Sequence, residues 1–228
     1  MFFMAENLHM DWESVSIDFS GGVDRGKMLV IVGHSGSGKS TVLKMMAGLL
    51  SPGKNARITL DGTDITKTPA GKRHIGMVFQ SPALFSHMRI VDNAAYSLAA
   101  AGMRRKERYE KASEWLERFG LAGFEKRWPD SLSGGEAQRV SLVRTLIAEP
   151  RLVLFDEPFS ALDAPLRKKL SEELRQWQKK LGFAGIVVTH DIEEARALGD
   201  EITVMKAGKQ VWSGLPADFD ESLLMVES

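Results

Sequence analysis

Four short apolar runs recur along this 228-residue chain, separated by longer segments of mixed polarity. They lie at residues 28–32, 75–79, 152–155 and 186–189. A continuous apolar run of this length is typical of a strand buried on both faces of a sheet. Because helical segments separate the runs, the pattern predicts an α/β fold with a largely parallel core sheet.

Two other segments have the turn residues of β-hairpins. Residues 57–66 turn at Asp61 and Gly62, and residues 201–212 turn near Gly208. Asp-Gly readily supplies the positive backbone φ angles of a tight hairpin turn. We expect the two hairpins to frame an antiparallel layer.

The sequence between residues 80 and 131 shows no strand pattern. Residues 91–101 and 104–119 instead have helical periodicity, and the second predicted helix has a strongly charged face. This stretch predicts a helical insert. We therefore expect a single domain, 1–228, with a core and β subdomain at about 1–80 and 141–228 and a helical subdomain at about 81–140.

A glycine-rich turn joins the first apolar run to a predicted helix at 40–49. Glycines let several backbone N–H groups converge on a phosphate, and the helix N-terminus adds a positive dipole end. Lys39 is then placed for the β- and γ-phosphates and the Ser40 hydroxyl for Mg²⁺. The predicted nucleotide-binding residues of this phosphate loop are Gly33, His34, Ser35, Gly36, Ser37, Gly38, Lys39, Ser40 and Thr41.

The third apolar run ends in two carboxylates, Asp156 and Glu157. An acid at a strand end beside a phosphate loop is suited to holding Mg²⁺ through its water shell, and we expect Asp156 to do so. Glu157 is placed to polarise the attacking water. ATP and Mg²⁺ are therefore the expected cofactors.

A second glycine-rich turn, Leu-Ser-Gly-Gly-Glu at residues 132–136, precedes another predicted helix. Ser133 is a suitable N-cap, and Gly134 and Gly135 remove side chains where a phosphate could approach. Taken alone, this pattern favours a plain capped turn. Its place shortly before the acidic strand end, with a Gln-Arg pair following Glu136 and Ala137, resembles the signature motif of the ATP-binding cassette (ABC) ATPases.

Further segments extend the resemblance from about Trp12 to Gly214. Gln80 follows an apolar strand as in the family's glutamine loop, and His190 matches the switch histidine. Asp163 ends Ser-Ala-Leu-Asp, similar to the loop that crosses the family's dimer interface. The resemblance implies a P-loop (RecA-like) core with a mostly parallel sheet, an antiparallel β subdomain and a helical subdomain. It also implies catalytic roles for Glu157, His190 and Gln80, and metal ligation by Ser40, Gln80 and Asp156.

Trp12 lies near the position where the family places an aromatic ring against adenine. Such base stacking contributes about 1–3 kcal/mol. Residues 13–19 lack the family's usual glycine-containing pattern, so packing within a strand is the alternative reading for Trp12. Phe19 is a second candidate for the stacking ring.

The signature turn lies beyond the helical insert, too far to reach the nucleotide of its own chain. It can close over the ATP of a second chain arranged head to tail, which gives a closed two-fold homodimer. Ser133, Gly134, Gly135 and Glu136 would then contact the partner chain's ATP. We expect the Glu136 side chain to point away from the phosphate, because like charges repel.

The composition limits the partners. Lys and Arg total 30, as do Asp and Glu, so no strong field favours a nucleic acid. The chain has no cysteine, which excludes disulfides and thiolate zinc sites. No apolar stretch approaches the ~18 residues of a membrane span, and the first ten residues do not resemble a signal peptide. We expect a cytoplasmic protein that lies on the inner face of the cell membrane through a partner.

Residues 83–88 place apolar and aromatic side chains on a loop after Gln80. The loop serves either to pack the insert or, over residues 80–88, to receive a short helix of an integral-membrane permease. The sequence at residues 80–93, 128–130 and 163–167 is similar to the importer branch, which serves thiamine, ferric iron, polyamine, molybdate or sugar uptake. That resemblance implies an extracytoplasmic solute-binding protein in the same system. The compact length is closer to the thiamine-type subunits than to the many sugar-importer members that carry a C-terminal regulatory domain.

Two alternatives remain open from the sequence. The chain could serve a membrane complex that does not import, of the exporter, cell-division or lipoprotein-release type. It could also be a soluble ABC ATPase of DNA repair or translation, although those proteins usually carry two cassettes or a long coiled-coil insertion. The transported substrate is chosen by the permease and the binding protein, so this sequence does not specify it.

Overall fold

The computed structural model describes residues 1–12 and 15–224, except for the side chain of Trp12. Strands and helices alternate, as expected of the α/β class. The strands are β1 (Phe3–Trp12), β2 (Val15–Val23), β3 (Met28–Val32), β4 (Arg57–Leu60), β5 (Thr63–Asp64), β6 (Ile75–Val78), β7 (Leu152–Asp156), β8 (Ala184–Thr189), β9 (Glu201–Lys206) and β10 (Lys209–Gly214). The α-helices are α1 (Lys39–Ala47), α2 (Ile90–Ala94), α3 (Tyr96–Ala100), α4 (Arg105–Arg118), α5 (Gly134–Leu146), α6 (Ala164–Leu181) and α7 (Ile192–Leu198).

All of these strands are hydrogen-bonded into one sheet, in the order β5-β4-β1-β2-β10-β9-β3-β8-β7-β6. Neighbours from β9 to β6 run parallel and include the four apolar runs. The predicted hairpins are β4–β5 and β9–β10. Their antiparallel strands belong to the same continuous sheet, because β9 pairs in parallel with β3 and one bridge, Lys209 with Asp18, joins β10 to β2.

The central strand β3 is buried on both faces and separates two apolar clusters. Val30 and Val32 face helical side chains such as Leu142, whereas Leu29 and Ile31 join side chains of α1, β1, β2 and β4. The antiparallel strands thus cover α1, which lies between them and the parallel strands. Burying each of these Val, Leu and Ile side chains stabilises the fold by about 1.5–3 kcal/mol.

The helix α1 supports the phosphate loop and is fixed at both ends. Gly38 and Gly48 flank it with φ angles of 94° and 77°, which residues with a side chain rarely adopt. The buried guanidinium of Arg73 donates to the carbonyls of Met45 and Met46 at 3.3 and 2.8 Å. These bonds satisfy acceptors that a helix C-terminus leaves free. Burial also lowers the pKa of Arg73.

The helical insert follows the prediction with one difference. α4 matches the helix expected at 104–119, but the helix expected at 91–101 is divided at Ala95 into α2 and α3. Ala95 has a ψ angle of 1°, outside helical geometry. Hydrogen bonds nevertheless continue across it, from the Ala95 N–H to Val91 and from the Ala99 N–H to Ala95. Over residues 1–12 and 15–224, no α-helix has the length and apolar character needed to cross a bilayer.

The helix α5 joins the signature turn to the core. It begins at Gly134 and continues past residue 140, where we placed the subdomain boundary. Val140, Val143 and Leu146 are buried in the same cluster as the parallel strands. One continuous helix therefore carries the glycine-rich turn at its start and packs on the core with its later residues.

The strands β1 and β2 are not among the elements that the sequence pattern predicted. In β1 the buried positions are Phe3, Ala5 and Leu8, which do not keep a period of two. A register shift between Ala5 and Leu8, with Asn7 at φ 53°, interrupts the alternation. This irregularity removes the strand signal from the sequence, although β1 and β2 supply much of the surface that covers α1.

Candidate nucleotide-binding site

A cavity of about 380 Å³ lies beside the start of α1, where β3, β6 and β7 end. Carboxyl ends of parallel strands meet at one edge of a sheet, which is where ligands bind in open α/β folds. The residues that line it are Val15, Ile17, Ser35, Gly36, Gly38, Lys39, Ser40, Thr41, Gln80 and Glu157. The structure thus brings the phosphate loop, Gln80 and Glu157 together, as the sequence predicted.

The Lys39 ammonium is held inside the phosphate loop. Its Nζ donates to the carbonyls of Gly33 and His34 at 2.7 and 2.9 Å. Burial lowers the pKa of Lys39, while the nearby carboxylates of Glu157 and Asp156 act in the opposite direction. The cation is therefore fixed by two backbone carbonyls of the loop, and Lys39 lines the cavity.

The phosphate loop is braced by the hairpin β9–β10. A Cβ on Gly33 would lie 2.2 Å from the Met205 carbonyl, so only glycine fits there. The Gly208 N–H donates to the Ser37 carbonyl at 3.2 Å. Ser37 Oγ is buried and has no hydrogen-bond partner among the described residues, which leaves a polar group available inside the loop. The His34 ring contacts the Leu224 carbonyl instead of the cavity.

Oxygen donors suited to a divalent cation lie at the edge of the loop. The Ser40 hydroxyl donates to the Asp156 carboxylate at 2.6 Å, and Gln80 lines the same cavity. In the described part of the chain, no cluster of three or more His, Cys, Asp or Glu side chains could hold a metal by itself. The set fits Mg²⁺, which is usually bound through one or two carboxylates together with substrate phosphates and water.

Glu157 and His190 form a pair at the cavity rim. Nδ1 of the imidazole lies 3.0 Å from Oε2 of the carboxylate. The Glu157 backbone has φ 45°, a left-handed conformation that is unusual for a residue with a side chain, and its N–H donates to the Val188 carbonyl at 3.0 Å. Strained backbone of this kind persists where surrounding bonds enforce it, often at functional sites.

Gln80 is connected to Glu157 through Ser160, a contact that the sequence did not predict. The Gln80 amide donates to Ser160 Oγ at 3.1 Å, and that hydroxyl donates to the Glu157 carbonyl at 3.1 Å. Ser160 begins the segment that resembles the family's interface loop, and its spacing from Gln80 gives no sign of contact. A displacement of Gln80 would thus act on the backbone of Glu157.

The apolar part of the cavity wall comes from β2. Val15 and Ile17 line the cavity, and Ile17 Cγ1 would lie 3.0 Å from a Cβ on Gly38. Their alternate spacing after Trp12 is the only sequence signal that could have identified them. The Trp12 side chain lies outside the described residues. Phe19 is 3% exposed and packs in the core, so its ring is not open to a nucleotide.

The comparisons with known proteins agree with this geometry. A family model described as ABC transporter matches residues 17–160. The chain belongs to the ABC transporter family. Its similarity to that family, read from the sequence motifs, is therefore confirmed.

Two kinds of relative extend the match across the ABC fold. Proteins named Fe(3+) ions import ATP-binding protein FbpC are 47% identical in Rhizobium etli and 48% identical in Pasteurella multocida, over 90% and 82% of this chain. The chain spans 58% and 53% of their lengths. The solved structure of cbiO1 from Clostridium perfringens, part of the ABC transporter complex cbiONQ, is 27% identical with a TM-score of 0.84 and covers 95% of this chain and 89% of its own.

The ABC signature turn is built as a capping box. Ser133 Oγ accepts from the Glu136 N–H at 3.4 Å, and the Glu136 carboxylate accepts from the Ser133 N–H and hydroxyl at 2.7 and 2.8 Å. These bonds lower the pKa of Glu136. The side chain thus turns back onto its own helix start. Within the described residues, the turn lines no part of the phosphate cavity.

The signature turn rests on the start of α6. A Cβ on Gly135 would lie 2.9 Å from the Leu166 side chain, and one on Gly134 would lie 3.4 Å from Leu162. Asp163, predicted for the ABC interface loop, caps α6 by accepting from the Leu166 N–H at 2.9 Å. Its carboxylate is exposed beside the turn, so the cap leaves the predicted interface role available.

The loop after Gln80 is ordered by one buried amide. Asn93, fully buried, accepts from the Phe85 N–H at 2.8 Å and donates to the Phe85 and Met88 carbonyls, both at 3.1 Å. Leu84 packs against the core, whereas the Phe85 ring contacts Tyr96 at a centroid distance of 4.6 Å. The loop therefore both packs the insert and presents aromatic surface.

An apolar surface surrounds this loop. Phe79 and Tyr96 are 40% and 44% exposed. A neighbouring cleft of about 870 Å³ begins at Met77 and Ser97 and passes along Arg144. Exposed aromatic rings beside a cleft are typical of a protein-binding surface.

Proposed function

We propose that this chain is the ATP-hydrolysing subunit of an ABC importer. The observation that carries the proposal is the convergence of Lys39, Ser40 and Glu157 on one cavity. Ser40 is paired there with Asp156, and Glu157 with His190. Phosphate, metal and base functions thus meet where a γ-phosphate would lie. The direct test is release of phosphate from Mg-ATP by the purified chain.

Each residue has a definite task in this proposal. Lys39 binds the β- and γ-phosphates, and Ser40, Asp156 and Gln80 would hold Mg²⁺, which neutralises charge that develops on the phosphates. Glu157 accepts a hydrogen bond from the attacking water and increases its nucleophilicity. The imidazole of His190, 3.0 Å from that carboxylate, orients it.

The second nucleotide contact comes from another copy of the chain. The signature turn is exposed, ordered by its capping box and remote from its own phosphate cavity. Two copies arranged head to tail would place each turn over the other's ATP and give two equivalent sites. The Ser133 hydroxyl, which donates to Glu136, would turn towards the phosphate on closure.

Replacing Ser133 by arginine should prevent ATP-driven dimerisation. The long side chain would occupy the space where the partner's phosphate approaches, while the exposed position lets the fold persist. Dimer fraction against ATP concentration, measured by light scattering in a Glu157→Gln background, gives the result. Ala101→Arg adds the same side chain on an exposed turn and should dimerise normally. A Ser133→Arg protein that still dimerises would show that the turn does not close over the nucleotide.

The surface formed by Phe79, Phe85 and Tyr96 is the proposed docking site for the membrane permease. We expect a short helix with an apolar face as its occupant, because the exposed aromatic rings of Phe79 and Tyr96 offer apolar contacts and lie near an open cleft. Docking here places the chain on the inner face of the membrane. It also connects the partner to Gln80, and through Ser160 to Glu157.

Substituting Phe85 by glutamate should abolish transport and leave ATP hydrolysis unchanged. Arg144 lies over the Phe85 ring, 5.4 Å from its centroid, and offers the new carboxylate a counter-charge. The isolated protein should keep its ATPase rate, but the permease should no longer co-purify and uptake should stop. Val211→Glu, a charge on an exposed apolar residue of β10, is the matched control. Persistent uptake by the Phe85→Glu strain would place docking elsewhere.

The relatives' names point to ferric ions as the cargo. We infer from the importer function that an extracytoplasmic solute-binding protein delivers it. Because this chain spans 58% or less of those relatives, the cargo needs a test of its own. Uptake of radioactive ferric iron in the native host, with and without a Lys39→Ala allele, provides it. Loss of iron uptake supports ferric import, and unchanged uptake assigns the chain to another cargo.

A further inference from the structure

Glu194 is a buried carboxyl group that the proposed mechanism does not use. It lies in the first turn of α7 and is 4% exposed. Oε2 accepts from the Thr189 hydroxyl at 2.5 Å. Oε1 is buried without a hydrogen-bond partner among the described residues. A buried carboxylate with an unsatisfied oxygen is costly, so its presence calls for a reason other than packing.

The contacts of Glu194 enclose His190 on both sides. Thr189 precedes the histidine, and its hydroxyl both donates to Glu194 and accepts from the Asp191 N–H at 3.0 Å. Asp191 follows the histidine and accepts from the Glu194 N–H at 2.9 Å. The Asp191 N–H, in the peptide group that follows His190, is thus tied through the Thr189 hydroxyl to the Glu194 carboxyl group.

A cation from the neighbouring helix completes the arrangement. The Arg167 guanidinium, on α6, pairs with the Asp191 carboxylate and donates to the Leu162 carbonyl at 3.0 Å. This pairing, together with the Glu194 N–H, lowers the pKa of Asp191 against the effect of burial. Asp191 therefore stays ionised, and Glu194 is the group whose protonation state can change.

We propose that Glu194 is a positioning residue for His190. Through the Thr189 hydroxyl, it sets the turn that holds the imidazole 3.0 Å from Glu157. The inference rests on the proposed ATPase function. It adds a residue that never touches nucleotide and controls the rate through the orientation of the base.

The protonation state of Glu194 determines how firmly the turn holds the His190 imidazole in position. Burial raises its pKa to about 7, with Asp191 and Glu157 acting in the same direction and Thr189 and Arg167 against it. When ionised, the carboxylate only accepts, so the Thr189 hydroxyl must donate to it and keep its oxygen for the Asp191 N–H. When protonated, the acid can donate to the Thr189 oxygen instead, so that oxygen is shared between the Glu194 proton and the Asp191 N–H, and the bond that holds the turn is weaker. Hydrolysis should therefore rise as pH increases through about 7.

The test is the pH profile of ATP hydrolysis by the Glu194→Gln protein. The amide is isosteric and always neutral, so it should behave like the protonated acid across the range. We expect kcat at pH 8 to fall about tenfold, KM for ATP to stay the same and the rise near neutral pH to disappear. Thr189→Val removes the linking hydroxyl and should give the same loss. Glu193→Gln, an exposed neighbour in the same turn, should keep the parent profile.

The outcomes separate the two proposals. A parent protein that hydrolyses no ATP would overturn the proposed function itself. An active parent with an unchanged kcat and pH profile in both Glu194→Gln and Thr189→Val would overturn the role of Glu194. If Glu194→Gln does not fold, as judged by thermal melting, the Thr189→Val profile decides the matter. A loss of activity that appears only as weaker ATP affinity would also contradict the proposed role of Glu194, because positioning of the base acts on kcat.

Discussion

Glu157→Gln protein should bind ATP normally and hydrolyse it at least about 10²-fold more slowly. The amide keeps the size of the side chain and its hydrogen bond to His190, 3.0 Å away, but removes the charge that polarises water. Since Lys39 and the Ser40–Asp156 pair are unchanged, nucleotide affinity should persist. The ATP-bound dimer should then accumulate, because the step that separates it is blocked.

Three measurements on this variant belong together: phosphate release, ATP affinity and dimer fraction. Glu149→Gln is a suitable control, because Glu149 is an exposed glutamate that shares the unusual left-handed backbone, with φ 53° against 45° at Glu157. It should hydrolyse ATP at the parent rate. If Glu157→Gln does the same, another group acts as the base and the cavity assignment must change.

Lys39→Ala should lose ATP affinity by about 10–100-fold. Charge-assisted hydrogen bonds contribute about 1.5–3 kcal/mol each, and every 1.4 kcal/mol corresponds to a factor of ten. The ammonium is already desolvated and held by the Gly33 and His34 carbonyls, so little reorganisation opposes its contact with phosphate. Titration calorimetry with ATP measures the change directly.

The Lys39→Ala and Glu157→Gln variants should lose different properties. Lys39→Ala should weaken binding itself, whereas Glu157→Gln should alter only the chemical step. Lys44→Ala removes a cation from the last turn of the same helix and should leave ATP affinity unchanged. Equal affinity in the Lys39→Ala protein would contradict a phosphate contact by this lysine.

The sequence predicts this fold best where a strand is buried on both faces. The run Met28–Val32 has no exposed position, so its apolar pattern is uninterrupted and easily recognised. β1 fails to give a signal because the irregularity at Asn7 shifts its buried positions. Local pattern thus identifies regular buried strands and misses covering strands whose register is set by their neighbours.

For the candidate site, too, the sequence predicts the local features and misses the contacts between distant residues. The phosphate loop is predictable because its chemistry is local, with glycines, Lys39 and Ser40 in one short segment. The bond from Gln80 to Ser160 spans 80 positions, so only the fold reveals it. Glu193 and Glu194 are adjacent and chemically identical, yet one is exposed and the other is buried against Thr189. Burial of that kind depends on how α7 packs against β8, which no short motif records.

The place of β3 in the sheet has a consequence for how the protein is made. β3 lies between β8 and β9, and its residues pair with residues 185–189 on one side and residues 201–204 on the other. A chain synthesised from its N-terminus therefore carries the phosphate-binding sequence long before that sequence has its supports. Such distant pairing slows folding and leaves apolar strands exposed on the ribosome. Nucleotide binding should thus arise late in synthesis, only after β8 and β9 have joined the sheet beside β3.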